Sequence, residues 1–395
     1  MSISKKINPK PDQRHELLRQ LRNIKMARSM QDYVRGNTSK FYEWLDASTG
    51  KLPEGPSIWI CGDCHFGNLG PVANSKGRIE TQIRDLDQTV IGNPVHDLIR
   101  LGLSLATATR DSDLPGVTTL RMLEELIAGY AQEFSNESLK ITRPECIKLV
   151  LRQAQIGKWK TLARENIGDA RPIIPLGKKF WPISKKEKQA ISTLHKNQDF
   201  ATLATMLRSR SNKSRVEVID SAFWVKGCSS LGNLRYAVLL GIDSEYCLID
   251  IKEAVKAIAP RTAGCAMPRD NARRVMLGAQ ALSPYLGERM SAIRFMDSAA
   301  CMRELLPQDL KLEINRMTRT QATLSARYLG AVVGKAHARQ MDNNTRSQWH
   351  KELLRNRDQK IDAPAWLWSS VVELTAIHEA SYLDHCRSYL TEIEG

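Results

Sequence analysis

The sequence predicts an α+β protein, helix-rich over most of its length, with a small antiparallel sheet at about residues 216–312. Three observations carry this. Apolar residues recur at helical spacing, as at Leu17, Leu18, Leu21 and Ile24. Short strand-like segments at Phe223–Val225, Leu234–Leu240 and Glu245–Ile251 follow one another with glycine-containing turns between them. Acid, amide and glycine residues crowd Ile60–Asp97, which reads ICGDCHFGNLG and, after a turn, TQIRDLDQTVIGNPVHD.

A length of 395 residues leaves room for two or three domains. The divisions expected are an N-terminal helical segment (1–56) packing on a large lobe, a helical lobe carrying the acid cluster (57–215), a sheet lobe (216–312) and closing helices (313–395). Lysine and arginine outnumber acids by 58 to 43, a net charge of +15. That balance favours anionic partners: nucleotides, phosphorylated substrates or nucleic acid. No run reaches the ~18–20 apolar residues of a bilayer span, and MSISKKINPKPDQRHE lacks an apolar signal core. The expectation is a cytoplasmic chain whose eight cysteines are reduced thiols.

In chain order, Arg14–Met30 is expected as a basic amphipathic helix, broken at Asp32-Tyr-Val-Arg-Gly36. Asn37 then caps a helix that buries Phe41, Trp44 and Leu45. Ser57–Cys61 is a short strand delivering the loop Gly62-Asp63-Cys64-His65-Phe66-Gly67-Asn68. A turn at Asn74–Gly77 and a returning strand bring Asp85 and Asp87 back beside Asp63 and Asn68. Phosphoryl transfer needs a carboxylate for the attacking hydroxyl and oxygen ligands for Mg²⁺. Asp63 fits the first need; Asn68 and Asp85 fit the second.

GDCHFGN resembles the GDxHxxN catalytic loop of the aminoglycoside phosphotransferase and choline kinase branch of the protein-kinase-like superfamily. In that branch a strand ending in Asp precedes Gly-x-Pro-x-x-Asp, and here Asp85 is followed by Gly92, Pro94 and Asp97. The resemblance implies Asp63 as catalytic base, Asn68 and Asp85 as Mg²⁺ ligands and Asp87 as an auxiliary acid at the metal. It implies structural roles for His65 and Asp97. Most of the chain also resembles an uncharacterised bacterial family with Tyr-x-Arg-Gly (here Tyr33-Val-Arg-Gly36), GDxHxxNxG and an Asp-x-Asp strand. Other readings of the loop are open: Cys61-Gly-Asp-Cys64-His65 satisfies the CxxCH haem pattern, zinc could use Cys61, Cys64 and His65, and an Asp-rich turn needs no ligand.

Asn93-Pro94 opens a buried helix through about Thr109; further helices are expected at Val117–Phe134 and Pro144–Ala163. Lys178–Lys188, with Phe180 and Trp181, and Arg208–Arg215 are basic runs expected as loop and linker, with nucleic-acid binding as the alternative. Gly227-Cys-Ser229-Ser230-Leu-Gly232 lies between two strands, where backbone N–H groups can approach phosphate, and Lys252 follows the third strand. The pattern fits neither the Walker A nor the dinucleotide fingerprint. Beside the acid cluster it reads as an ATP lid with its phosphate-binding lysine. A helix at Asn271–Tyr285 stands where kinases carry the lysine's Glu partner, but offers only Gln280 and, just beyond it, Glu288. Ile293–Leu306 supplies strands and the hinge in that scheme, and Pro364–Leu390 a last helix with His378 and His385 on one face.

Leu329–Ala338 resembles the LAxxLAxLHA helix that precedes the catalytic loop in aminoglycoside phosphotransferases, yet the loop lies far upstream. Reading from Gly227 and wrapping from the C-terminus to residue 1 restores that family's order. The resemblance therefore implies a two-lobed kinase-like fold in circularly permuted form, with ATP and Mg²⁺ as cofactors and a small-molecule hydroxyl acceptor. A non-catalytic nucleotide-binding pseudokinase is the first alternative, and a basic nucleic-acid-binding protein the second.

Overall fold

The computed structural model describes residues 9–48, 52–110, 112, 114–135, 141–156, 173–194, 198–205, 214–228, 231–243, 245–305, 317–354 and 363–394. Three helices come first: α1 (Arg14–Met26), α2 (Met30–Gly36) and α3 (Thr38–Ala47). Next are β1 (Ile58–Ile60), the hairpin β2 (Leu69–Ala73) and β3 (Ile79–Ile83), and β4 (Val90–Gly92). Helices α4 (Val95–Arg110), α5 (Val117–Gln132) and α6 (Glu145–Ile156) follow. Then come β5 (Phe180–Trp181), α7 (Lys185–Leu194), α8 (Gln198–Thr205), β6 (Val216–Trp224), β7 (Arg235–Ile242) and β8 (Glu245–Glu253). The chain closes with α9 (Asn271–Leu282), α10 (Pro284–Gly287), β9 (Met290–Phe295), β10 (Ser298–Leu305), α11 (Arg319–Ala338), α12 (Asn343–Leu354) and α13 (Ala365–Glu394).

The architecture is α+β, and every strand pairing is antiparallel. The main sheet runs β5-β6-β7-β8-β10-β9; β1 pairs with β4 and β2 with β3 as separate ribbons. Strand β7 is buried at all eight positions because the sheet is covered on both faces. One face packs Tyr236, Val238 and Ile249 against Phe200 and Leu18; the other packs Ala237, Leu239 and Leu248 against Ile174 and Trp224. The helices bury a separate, larger core that joins α2–α6 to α9, α11, α12 and α13. The N-terminal stretch thus divides: α1 packs on the sheet through Leu18, whereas Val34, Phe41 and Leu45 enter the helical core.

Three local expectations change. The first helix ends at Met26, and Asp32–Gly36 is itself helical because Ser29 restarts the chain, its Oγ accepting from Asp32 N at 3.1 Å. Lys178–Lys188 is not a loop: Phe180 and Trp181 form the edge strand β5, stacked on Trp224 and Phe223, and Lys185 begins α7. Both aromatics are at most 2 % exposed, so no base can stack on them. Most of Arg208–Arg215 lies outside the described residues.

The glycines of α11 have a packing purpose. Gly330 and Gly334, four apart, face α5, where a Cβ on Gly330 would meet Leu126 O at 2.1 Å. Gly129 of α5 returns the contact, with Arg327 O at 1.9 Å from its would-be Cβ. Removing both side chains lets the two backbones touch, which sets α11 against the body. Thr318 caps the helix: its Oγ1 accepts from Gln321 N, and Gln321 Oε1 accepts from Thr318 N. Such a cap is worth roughly 1 kcal/mol.

Candidate functional site

The loop after β1 is held by one buried carboxylate. Asp97, in the first turn of α4, accepts from Cys61 N at 2.7 Å and from Gly62 N at 2.9 Å. His337 of α11 reaches Asp97 Oδ2 through Nε2 at 3.1 Å, and its Nδ1 meets Tyr130 Oη at 2.9 Å. Trp349 Nε1 donates to the same Tyr130 oxygen at 3.1 Å. Asp97 and His337 are fully buried, so each polar atom finds its partner inside the protein. Gly62 takes φ +75°, and an added Cβ would meet Gln88 O at 2.2 Å; only glycine fits there.

Asp63 is also buried, and its Oδ1 accepts from Arg100 Nε at 2.9 Å. Arg100 donates further through Nη2 to Val34 O at 2.6 Å, while its Nη1 has no partner. Burial raises the Asp63 carboxyl above its ordinary value, with Arg100 pulling the other way. Asn68 closes the loop: its Nδ2 donates to Asp63 O at 3.0 Å, and its own carbonyl accepts from Arg84 N at 2.8 Å. His65 is buried, with Nδ1 unpartnered; burial drives its pKa well below the ordinary value, so the ring is neutral.

Asp85 and Asp87, just after β3, face Lys252 on β8. Lys252 Nζ lies 3.3 and 3.4 Å from the two Asp85 carboxylate oxygens and forms an ion pair with Asp87 Oδ2. Burial pulls the lysine down, but the two acids outweigh it and hold it above its ordinary value. Burial works against Asp85 ionisation, yet Lys252, Arg235 and Arg303 keep it well below the carboxylate range. Burial and the Asp85 charge push Asp87 up to about 6. Two acids in contact thus divide into one held ionised and one that takes up a proton readily.

Around these groups is a cleft of about 200 Å³. Asn68, Asp85 and Asp87 line it from the acid hairpin, and Gly227, Lys252 and Asp250 from the sheet. Arg235 grips Asp250 in two bonds of 2.8 and 2.6 Å, and Arg303 Nε adds one of 3.4 Å. Lys25 of α1 donates to Gly227 O at 2.6 Å, so the glycine turn is tied to the N-terminal helix. Gly227 has φ +100°. Gly232 has φ +115° but does not line the cleft, and Ser229 and Ser230 lie outside the described residues.

Some expected partners stand elsewhere. Glu288 accepts from Ser75 N at 2.6 Å, and Gln280 is exposed. Helix α9 contributes an arginine instead: Arg274 donates to Asp87 O and Val255 O, each at 2.9 Å, and to Thr89 O. His378 is buried against Leu374 O and His385 Nε2 meets Asn23 O at 3.1 Å, so the two histidines serve packing. Cys61, Cys64 and Asp97 have ligand atoms within 4.8 Å of one another, without His65. Both Asp97 oxygens already accept hydrogen bonds, and both thiols are held above their ordinary pKa. Arg35, Arg100, Arg235 and Arg303 escaped the sequence reading; only the Tyr-x-Arg-Gly motif signalled any of them.

The family described as "Uncharacterized protein conserved in bacteria (DUF2252)" matches residues 14–388, and the chain belongs to it. No curated protein and no solved structure matches. Among the described residues no helix is long and apolar enough to cross a membrane.

Proposed function

We propose that this protein is an ATP- and Mg²⁺-dependent phosphotransferase of kinase-like type, acting on a small-molecule hydroxyl. The observation that carries the reading is the Lys252–Asp85–Asp87 contact, which joins positions 167 residues apart across a cationic cleft. A lysine suited to the α- and β-phosphates and acids suited to a metal meet there. Asn68, Asp85 and Asp87 present hard oxygen donors, the ligand type Mg²⁺ requires. Magnesium held there would neutralise phosphate charge. Gly227 would cover the phosphates and Lys252 would pair with them.

Asp63 would orient and accept the proton of the attacking hydroxyl; its raised pKa moves it toward the range in which a general base works at neutral pH. The bond from His337 to Asp97 supports the permuted order, because it places a His-Ala helix end against the loop from more than 200 positions away. A non-catalytic nucleotide sensor is the second reading, favoured by the Arg100 guanidinium that already occupies one Asp63 oxygen.

Thermal-shift titration with Mg-ATP tests both readings. Saturation at ~100 times the dissociation constant adds about 2.7 kcal/mol to stability. No shift at millimolar Mg-ATP would sink both. If the protein shifts, ATP turnover by Asp63→Asn separates them, because asparagine keeps an acceptor for Arg100 Nε. An enzyme loses about 10²–10⁴-fold in turnover; unchanged turnover removes Asp63 from the mechanism.

A further inference from the structure

The Tyr33-Val-Arg-Gly36 segment is still without a chemical role. Its backbone and flanks are accounted for: Asn37 Nδ2 donates to Tyr33 Oη, Val34 O accepts from Arg100, and Gly36 O accepts from Arg22. Gly36 is closely packed: a Cβ there would press on the Met26 side chain and lie 3.1 Å from Cys228 Sγ. The segment is therefore a rigid bridge between α1, the glycine turn and the Asp63 loop. What it presents to the cleft is Arg35.

Arg35 lies against the catalytic-type loop. Its guanidinium carbon is 3.5 Å from where a Gly67 Cβ would stand, which is ordinary contact distance to the FGN turn. Among the described residues its ion pair is a loose one with Asp32, at 3.8 Å. Its Nε is buried without an acceptor, as is Arg100 Nη1 behind Asp63. Of these two arginines only Arg35 lines the cleft, and a guanidinium donor left without an acceptor is a cost that an anion bound there would relieve.

The charge balance of the cleft points the same way. Among the described residues, seven cationic and three acidic side chains line it, a surplus of four. A triphosphate carrying its metal holds about two net negative charges. The inner acids are engaged by Lys252, Arg235 and Arg303; of the remaining lining cations, Arg35 lies beside Gly67 of the Asp63 loop and close enough to act on the Asp63 charge. A neutral or cationic acceptor would gain nothing there.

We infer that the acceptor is an anionic small molecule, a hydroxyl compound bearing a phosphate or carboxylate, and that Arg35 is its anchor beside Asp63. This rests on the phosphotransferase reading, and it gives a function to a motif that reading leaves idle. Arginine suits the task because its planar fork pairs with either oxyanion in two bonds.

The test is calorimetric titration of inorganic phosphate, and separately of acetate, into protein saturated with Mg-AMPPNP, so that the triphosphate positions are filled. Wild type should bind at least one of the two anions, and which one identifies the group. Arg35→Gln should weaken that binding by about tenfold or more, with Arg35→Lys recovering part of it, while Mg-AMPPNP affinity stays within about twofold. Equal anion binding by wild type and Arg35→Gln, or none by wild type, overturns the inference. So does a parallel loss of nucleotide affinity in Arg35→Gln, which would assign Arg35 to the triphosphate. Failure of Mg-AMPPNP itself to bind is a different result: it removes the phosphotransferase reading on which the inference rests.

Discussion

The two acid centres of this protein, Asp97 and the Asp85–Asp87 pair, are built on opposite principles. Asp97 is fully buried, and its oxygens are used by two backbone N–H groups and His337, which is itself held by Tyr130. Nothing remains for a ligand to add. Asp85 has a side chain 38 % exposed, and its strongest partner is a lysine from another part of the fold. Both pairs span long stretches of sequence, yet one is finished and the other can be reopened by a cation or an anion. The difference teaches that the loop carrying Asp63 is framed by the fold, whereas the charges opposite Lys252 are held by ion pairs that solvent reaches.

The largest expected effect lies on the finished side. Asp97→Ala leaves Cys61 N, Gly62 N and His337 without their acceptor in a dry core. Urea unfolding should show a loss of about 3–5 kcal/mol. Lys252→Met makes the contrast. It removes bonds to two partly exposed carboxylates, so stability should fall by only about 1–2 kcal/mol. Mg-AMPPNP affinity should nevertheless drop by tenfold or more, which is about 1.4 kcal/mol. If Lys252→Met unfolds the protein as severely as Asp97→Ala, the contrast fails.

How much of this was legible beforehand follows the same division. Local chemistry was readable: Asn37 accepts from Lys40 N as a cap, and the turn at Asn74–Gly77 closes the β2–β3 hairpin. Motif spacing named the acids and Lys252 as candidates, but not the lysine's partner, which the α9 region was expected to supply. No spacing rule links Lys252 to Asp85 and Asp87, because the contact is made only when the sheet meets the hairpin. Arg100 was hidden for a related reason: α4 reads as an apolar buried helix, and an arginine at 0 % exposure goes against composition. Asp63, 37 residues earlier, and the Val34 carbonyl explain it. Strand β5 was missed because two residues carry no period.

The pH dependence of the metal-free protein sharpens the comparison further. Asp87 releases its proton at about 6 in the folded protein, whereas an unfolded chain does so at about 3.9. Between those values the folded form binds more protons, so this carboxyl's contribution is complete below about 4 and is lost as pH rises through about 6. Asp87→Asn cannot ionise. Its melting temperature relative to wild type should therefore climb from pH 4 to 6.5 and level off above. A constant difference across that range would show that Asp87 is not strained by Asp85.

The smallest effect tests whether the glycine turn belongs with the reopenable side. Lys25 Nζ to Gly227 O is the bond from α1 to that turn, and it is partly buried. Lys25→Met keeps the aliphatic stem and removes one hydrogen bond, which costs about 0.5–1.5 kcal/mol of stability at most. If the lysine's role is to hold the carbonyl while the turn's N–H groups face phosphate, the apparent dissociation constant of Mg-AMPPNP should rise by about threefold to fivefold. Anion binding at Arg35 should be unaffected, because that side chain is carried by α2 and not by the turn. A hundredfold loss of nucleotide would mean that Lys25 leaves Gly227 and pairs with phosphate directly, which would make α1 part of the nucleotide site and extend the reopenable half into the N-terminal helix.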